Sequence, residues 1–281
     1  MESHIVRLAA RLRPVTVRLR LGDAKGSGVI ISDDGYILTA AHVSNRIDRQ
    51  VAIELSTGEI VQGVALGAHF TLDAGLVQIT DSRYRGRKWP TAVMSDGQTP
   101  QPGAWCLSLG HPGGTTDGQQ AVARMGRVLK SRDWVLQTDC ELVGGDSGGP
   151  LFDMAGRVIG INTYIKESID SNFHVPVGVF QRSRKQLEAG DVVHCGASLG
   201  IFGEPHANGL RITRVVDESP AVQCGLQVGD QLLAYDSERV NSTEDLAQRV
   251  RKERPGKIVQ LRIVRDGVSM QLNVELGLGD S

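Results

Sequence analysis

Ser147 stands in a glycine-rich run, Gly144-Gly145-Asp146-Ser147-Gly148-Gly149-Pro150. Glycines on both sides of a serine let the backbone approach a substrate closely and turn amide N–H groups inward, which is what a developing oxyanion requires. Gly145 and Ser147 are the expected donors. A bare run of this kind is equally a hairpin turn, so the chemistry depends on partners. A serine hydroxyl is a poor nucleophile unless a base takes its proton, and that base needs a carboxylate to fix its tautomer. His42 follows Thr39-Ala40-Ala41 at the end of an apolar strand, where small neighbours would let an imidazole reach across a cleft. Asp73 opens the apolar run 74–79, where a partly buried carboxylate would want a hydrogen-bond partner. Taken singly, His42 reads as a packed histidine and Asp73 as a strand-start aspartate.

The elements that must position these three residues are short strands. From Val15 to Val179, β-branched or aliphatic runs are closed repeatedly by Gly, Asp or Pro. Residues 28–32 and 36–40 flank Asp33-Asp34-Gly35, and 151–152 and 157–161 flank Asp153 to Gly156; both pairs read as hairpins. Further strands are expected at 51–55, 76–80, 105–109, 126–129, 135–138 and 174–177. Many short antiparallel strands over this length imply a sandwich or barrels. Residues 180–189 read as a polar helix and 190–196 as a linker, which divides the chain into 1–190 and 191–281. In the second part, 199–202, 210–216 and 231–235 read as strands, 219–229 as a short helix and turn, and 258–264 with 268–274 as a hairpin around Asp266-Gly267. A helix starts at Ser242, with Asp245 three residues on, carries Leu246, Ala247 and Val250 on one face, and stops at Pro255-Gly256.

The order His42, Asp73, Ser147 is that of the chymotrypsin-type proteases, and the opposite of the Ser, Asp, His order of the α/β-hydrolases. The latter fold also needs a helix straight after the serine, and 150–165 reads as a hairpin. The sequence resembles the HtrA (DegP-like) proteases through Gly26-Ser27-Gly28-Val29-Ile30-Ile31, Gly35 to Val43, Asp73 to Ile79, Gly145 to Pro150 and Gly160-Ile161-Asn162-Thr163. It continues through Ser198-Leu199-Gly200-Ile201 and Ser219-Pro220-Ala221 with Gly225-Leu226-x-x-Gly229-Asp230, which look like the carboxylate-binding loop and a turn of a PDZ domain. The resemblance implies a mainly β protein: a trypsin-like double β-barrel of six strands each with the triad between them, then a smaller α+β PDZ domain. It implies cleavage of unfolded or damaged proteins without metal or other cofactor, in a homotrimer. It also implies a substrate pocket made by Glu141, Leu142, Val143, Asn162 and Thr163. In the PDZ domain, Leu199, Gly200 and Ile201 would receive a peptide C-terminus, whose last side chain would meet Leu246 and Val250.

Three features depart from the family pattern. Asp146 stands where these proteins commonly have Asn; in digestive trypsins such an Asp is held by a newly cut N-terminal amine, and the sequence has no matching activation site. The segment before Val15 lacks the aromatic residues that pack the trimers. Glu141 lies at the pocket floor, where the family is apolar, so Leu142 and Val143 favour a small aliphatic side chain and Glu141 a basic one. The competing reading of the whole is a catalytically silent PDZ-bearing chaperone or scaffold.

Composition limits the remaining classes. The 281 residues suit about two domains. A net charge of -1 supplies no general drive towards nucleic acid or an anionic membrane. There is no run of ~18 apolar residues that a membrane span would need, nor a signal-peptide core, so the sequence reads as cytoplasmic, or as periplasmic or otherwise extracytoplasmic if its start has been trimmed. Cys106, Cys140, Cys195 and Cys224 lack CxxC spacing and read as buried free thiols, and the seven histidines show no ligand spacing.

Overall fold

The computed structural model describes residues 2–22, 24–44, 47–113, 119–165, 172–193, 196–206 and 208–278. Residues Met1–Val193 and His194–Ser281 form two compact units. The first unit extends past the expected boundary at 190 because Val192 and Val193 pair in parallel with Ala68 and His69.

Six strands, β1 (Thr16–Leu21), β2 (Ala24–Ile30), β3 (Tyr36–Ala40), β4 (Gln50–Glu54), β5 (Ile60–His69) and β6 (Ala74–Ile79), form the first barrel. Their order is β5-β4-β1-β2-β3-β6, and the sheet closes because β5 also pairs with β6. Closure removes both sheet edges and leaves one enclosed core, filled here by Val17, Leu19, Ile37, Ile53, Val61 and Val77. Strand β5 was not expected from the sequence, where Gly63 and Gly67 interrupt its apolar pattern. Its glycines admit neighbours: a Cβ at Gly63 would lie 2.5 Å from Ile53 Cδ1, and one at Gly67 2.7 Å from the Leu187 carbonyl oxygen.

The second barrel repeats the plan with β7 (Trp105–Gly110), β8 (Val122–Arg132), β9 (Val135–Thr138), β10 (Pro150–Asp153), β11 (Arg157–Ile165) and β12 (Asn172–Pro176), closed by β10 against β11. Two closed six-stranded barrels are what the family resemblance implies. The second core packs Val128, Leu136, Leu151 and Ile159 with Cys106 and Cys140, whose sulfur atoms lie 3.7 Å apart as free thiols. Cys224 is also a free thiol, and Cys195 lies outside the described residues. The hydrogen bond to Cys140, and then burial, push the Cys106 thiol up.

A helix the sequence reading did not find, α1 (Glu2–Leu12), precedes β1. It buries Leu8, Ala9 and Leu12, which lie on a single face within about one turn, while Arg11 Nη2 donates to the Ala155 carbonyl at 2.8 Å, which lays the helix over the β10–β11 turn. The helix expected at 180–189 spans Val177–Glu188 (α2). Among the described residues no helix is long and apolar enough to cross a membrane.

The second unit is a sheet ordered β13 (Ile201–His206), β14 (Gly209–Val215), β15 (Gln231–Tyr235), β16 (Ile258–Arg265) and β17 (Val268–Glu275), with helix α3 (Thr243–Lys252). Ser242 caps α3, its Oγ accepting the Asp245 N–H at 3.1 Å, and Asp245 Oδ2 returns the contact to the Asn241 N–H at 3.2 Å. The strand expected at 199–202 is broken: Ala197–Ser198 pairs with Gly277–Leu278, and β13 starts only after Gly200, which is left-handed at φ 80°. The helix expected within 219–229 is a single turn, Pro220–Gln223.

One charged cluster is built into the first barrel. Glu54 Oε2 accepts Arg18 Nη1 at 3.1 Å and Arg20 Nη2 at 2.7 Å, and the Arg18 and Glu54 side chains are only 5% and 4% exposed. The β1–β4 register pairs Arg18 with Glu54 directly. Glu54→Ala removes the buried carboxylate that both guanidiniums share, so it is expected to lower stability by about 3–5 kcal/mol in denaturant unfolding.

Candidate active site

The β3–β6 pairing aligns Ala40 with Ala74. The residues just beyond these strand ends, the helical turn Ala41–Ser44 and Asp73, are therefore neighbours. Asp73 is left-handed, with φ 60°, a conformation that aspartate tolerates better than most side chains. Its carbonyl accepts the Ala41 N–H at 3.1 Å, and its carboxylate Oδ1 accepts the His42 N–H at 2.9 Å. Asp73 Oδ2 lies 2.8 Å from His42 Nδ1 and also accepts the Thr163 hydroxyl. With a carboxylate acceptor, Nδ1 is the protonated ring nitrogen and Nε2 is left as the basic one. His42 is half-exposed and Asp73 is mostly covered, 50% against 19% for the side chains.

Ser147 comes from the other barrel, in the loop between β9 and β10. Gly145 (φ 95°) and Gly148 (φ 84°) give this loop its shape, and neither position has room for a side chain: a Cβ at 145 would lie 2.4 Å from the His111 carbonyl oxygen, and one at 148 would lie 2.2 Å from that of Ser27. The loop is clasped from the first barrel by Ser27 on β2. The Ser27 N–H donates to the Ser147 carbonyl at 2.8 Å, and the Ser27 hydroxyl donates to the Gly145 carbonyl at 2.9 Å. The Gly144 carbonyl accepts the Gly113 N–H, and the Asp146 carbonyl accepts the Gly149 N–H at 2.9 Å. In a trans peptide the N–H points opposite to its carbonyl, so these bonds direct the amides of Gly145 and Ser147 away from the loop's own acceptors. Among the described residues neither amide donates a backbone hydrogen bond. The Ser147 hydroxyl donates to the Thr163 carbonyl at 3.1 Å.

The residues expected to line a substrate pocket divide. Glu141 and Val143 are exposed, whereas Leu142 is buried and its N–H donates to Asn172 Oδ1 at 2.9 Å. Thr163 joins Asp73 to the Ser147 loop, its hydroxyl donating to the Asp73 carboxylate and its carbonyl accepting the Ser147 hydroxyl. Asn162 is wholly buried and faces the protein: Oδ1 accepts Ser108 Oγ at 3.1 Å and His174 Nδ1 at 3.0 Å, while Nδ2 donates to the carbonyls of Leu109 at 3.3 Å and Asp146 at 3.1 Å. Asp146 itself is buried, and its Oδ2 takes Arg124 Nη1 at 2.7 Å and the Val143 N–H at 2.9 Å. Burial pushes this carboxyl up, against the pull of the Val143 amide and the Arg124 guanidinium. Ser27, Arg124 and the bracing role of Asn162 were not found from the sequence. Asn162, Thr163 and Ser27 stood in motifs, but the roles of Ser27 and Arg124 depend on partners distant in the chain.

Two buried histidines support the loop. Burial, with Arg18 adding to it, pushes His111 down to about 4; its Nδ1 lies 3.2 Å from the Ser27 hydroxyl. His174, wholly buried, is pushed down to about 3 by burial alone. Because Nδ1 meets the Asn162 oxygen, it carries the proton, and Nε2 accepts the Thr138 hydroxyl at 2.8 Å.

In the second unit, Leu199 is buried, and its carbonyl accepts the Ala221 N–H at 3.0 Å. The Gly200 carbonyl accepts the Val216 N–H at 2.9 Å, and a Cβ on Gly200 would lie 2.2 Å from Ser219 Cβ. Ile201 is half-buried at the start of edge strand β13. Leu246 and Val250 are buried in the unit's core beside Leu210, Leu232 and Ile263. Among the described residues no three His, Cys, Asp or Glu side chains are grouped to hold a metal ion.

His174 gives a pH test. Its folded value lies below the ~6.5 of an unfolded histidine, so its contribution to stability is complete above about pH 6.5 and is lost as pH falls towards the folded value, because only the unfolded chain takes up the proton. Urea unfolding at about pH 7 and pH 5 is expected to show wild-type stability falling more steeply with acid than that of His174→Gln.

Two family profiles match the chain, the trypsin-like peptidase domain over residues 26–161 and the PDZ domain over residues 197–276. The chain is 32% identical over 282 residues to a probable periplasmic serine endoprotease, DegP-like, of Pseudomonas savastanoi pv. phaseolicola, a match covering 92% of this chain and 57% of that protein. The corresponding Pseudomonas fluorescens protein is also 32% identical, with 93% and 57% covered. The chain thus spans a little over half the length of the curated relatives it matches. Among solved structures, the serine endoprotease from Yersinia pestis superposes with a TM-score of 0.60 at 26% identity, covering 98% of both chains. The HtrA-type protease AlgW with a tripeptide gives a TM-score of 0.60 at 24% identity, with 99% of this chain and 98% of that chain covered, and shares the fold. With a trypsin-like peptidase domain followed by a PDZ domain, DegP-like relatives and HtrA structural neighbours along nearly its whole length, the chain belongs to the HtrA (DegP-like) serine protease family.

Proposed function

We propose that the chain is a serine endopeptidase acting on unfolded or damaged polypeptides through His42, Asp73 and Ser147. The carrying observation is the 2.8 Å contact of His42 Nδ1 with Asp73, which leaves Nε2 as a base in the cleft that the Ser147 loop enters. The Ser147 hydroxyl turns from the Thr163 carbonyl to Nε2, and Oγ attacks the scissile carbonyl carbon as its proton passes to His42. The oxyanion takes hydrogen bonds from the Gly145 and Ser147 amides, whose directions are already fixed and need no reorganisation during the reaction. Collapse of this intermediate expels the amine, protonated by His42, and leaves an acyl-Ser147 ester that water hydrolyses with His42 again as base. Asp73 holds His42 through two contacts, one to ring Nδ1 and one to the backbone N–H, and steadies the positive charge of the imidazolium, while the Thr163 hydroxyl also donates to its carboxylate.

Exposed Val143 beside buried Leu142 suits a small aliphatic side chain in the pocket. Assembly in threes and a periplasmic setting, in preference to the cytoplasm, extend the same proposal from the names and family of the relatives. The second unit is proposed to bind a peptide's C-terminal carboxylate at 199–201, with the peptide adding a strand to β13, which lies at the edge of its sheet among the described residues.

A serine-directed fluorophosphonate is expected to label wild type and leave Ser147→Ala unlabelled, and casein degradation should fall by several orders of magnitude in Ser147→Ala and in His42→Ala alike. Labelling that survives Ser147→Ala would remove Ser147 as the nucleophile. Full-length Ser147→Ala, titrated with peptides ending in Val, Ile or Phe, is expected to bind the acids and to lose most of that binding when the C-terminus is amidated; equal binding of amides would exclude carboxylate capture.

A further inference from the structure

Asp146 poses an electrostatic problem at the most sensitive point of the proposed site. It is 1% exposed and adjoins Ser147, and charge buried this deeply is tolerated only when paired. One carboxylate oxygen, Oδ1, has no hydrogen-bond partner among the described residues and sits against the bare Cα of Gly110, where a Cβ would approach it to 2.5 Å. The other, Oδ2, carries the whole load: the Arg124 guanidinium at 2.7 Å and the Val143 amide at 2.9 Å. Asp146 in turn ties the loop to itself, since its N–H donates to the Val143 carbonyl at 3.0 Å and its carbonyl accepts the Gly149 amide at 2.9 Å. Arg124 is not part of the loop. It projects from β8, where it is paired in register with Ser108 of β7, so its backbone is fixed in the barrel wall.

We infer that Arg124 is the internal counter-cation that locks the oxyanion loop, holding Asp146 inward so that the Gly145 and Ser147 amides keep their directions without a cleaved N-terminal amine. Arg124 is a positioning residue, acting through Asp146. The inference rests on the proposed peptidase reading for its catalytic consequence but not for its structural one. The asymmetry of the pair makes it specific. The Arg124 side chain is 21% exposed and can turn to water if its partner is neutralised, whereas the Asp146 side chain, at 1%, can reach water only if the loop moves with it. Loss of the cation therefore forces Asp146 outward together with the amides on either side of it. Loss of the anion does not.

The test compares Arg124→Met, Asp146→Asn and the double variant with wild type in the full chain. Hydrogen exchange of the segment 143–149, read by mass spectrometry, is the primary measurement, because it reports the loop whether or not the chain cleaves anything. Protection is expected to be lost in Arg124→Met and to return in the double variant, with Asp146→Asn close to wild type. Exchange elsewhere in the second barrel should be unchanged, which separates loop release from general unfolding. If wild type cleaves casein and takes up a fluorophosphonate, kcat on a peptide substrate should fall about 10²-fold or more in Arg124→Met, the scale of losing an oxyanion donor, and recover most of that loss in the double variant. Unchanged protection in Arg124→Met overturns the inference, as does a double variant no better protected than the single one. An unreactive wild type overturns the peptidase reading alone.

Discussion

The arrangement depends on one backbone contact, the Ser27 amide on the Ser147 carbonyl, by which the first barrel grips a loop of the second. Each barrel closes its own sheet, so residues that must act together meet through loops and strand ends. Ser27 supplies three such links: its amide, its hydroxyl on the Gly145 carbonyl, and its hydroxyl beside His111. The glycines at 145 and 148 are the local condition for that grip, since any Cβ there would meet backbone oxygen before the loop seated.

The second constraint is that the site stands on buried polar groups. Ser108, Asn162, His174 and Thr138 form a continuous hydrogen-bonded chain inside the second barrel. Thr138 Oγ1 passes its hydrogen to His174 and accepts the Cys140 amide at 3.2 Å, so no member is left with an unsatisfied donor along that path. Asn162 then reaches the Asp146 carbonyl, so the interior of the barrel fixes the peptide bond that presents Ser147. Such a web is useful because it has few alternatives: a buried histidine that stays neutral keeps one tautomer, and one tautomer fits only one orientation of the asparagine amide.

The second unit solves a simpler problem. Its core uses Leu246 and Val250 from the helix and Leu210, Leu232 and Ile263 from the sheet, leaving β13 at the edge with Phe202 half-exposed beneath the Arg214 guanidinium, 3.9 Å from the ring centre. An edge strand is open to another chain unless something blunts it, and here a stacked cation covers part of the face and the Thr243 hydroxyl donates to the Gly203 carbonyl of β13 at 3.2 Å.

What the sequence by itself determined is the set of features decided within a few residues. The glycine frame of Ser147, the small residues before His42, the apolar run after Asp73 and the Ser242 cap all act through local backbone conformation, and all were legible. So was the mainly β character, because period-two patterns and turn residues need no knowledge of partners. Leu246 and Val250 were legible as one face of a helix, though their burial in the core was not. The α1 helix was obscured by its interleaved arginines, and β5 by glycines whose purpose is to admit Ile53 and Leu187 from elsewhere. Only the tertiary structure decided the partners: Ser27 with Gly145, 118 residues apart, and Arg124 with Asp146, 22 residues apart across two strands and a loop. The physical reason is register. Which residues face each other across a closed barrel depends on every strand pairing around the ring at once, and a buried charge such as Asp146 says only that it needs a cation, not which strand will bring it.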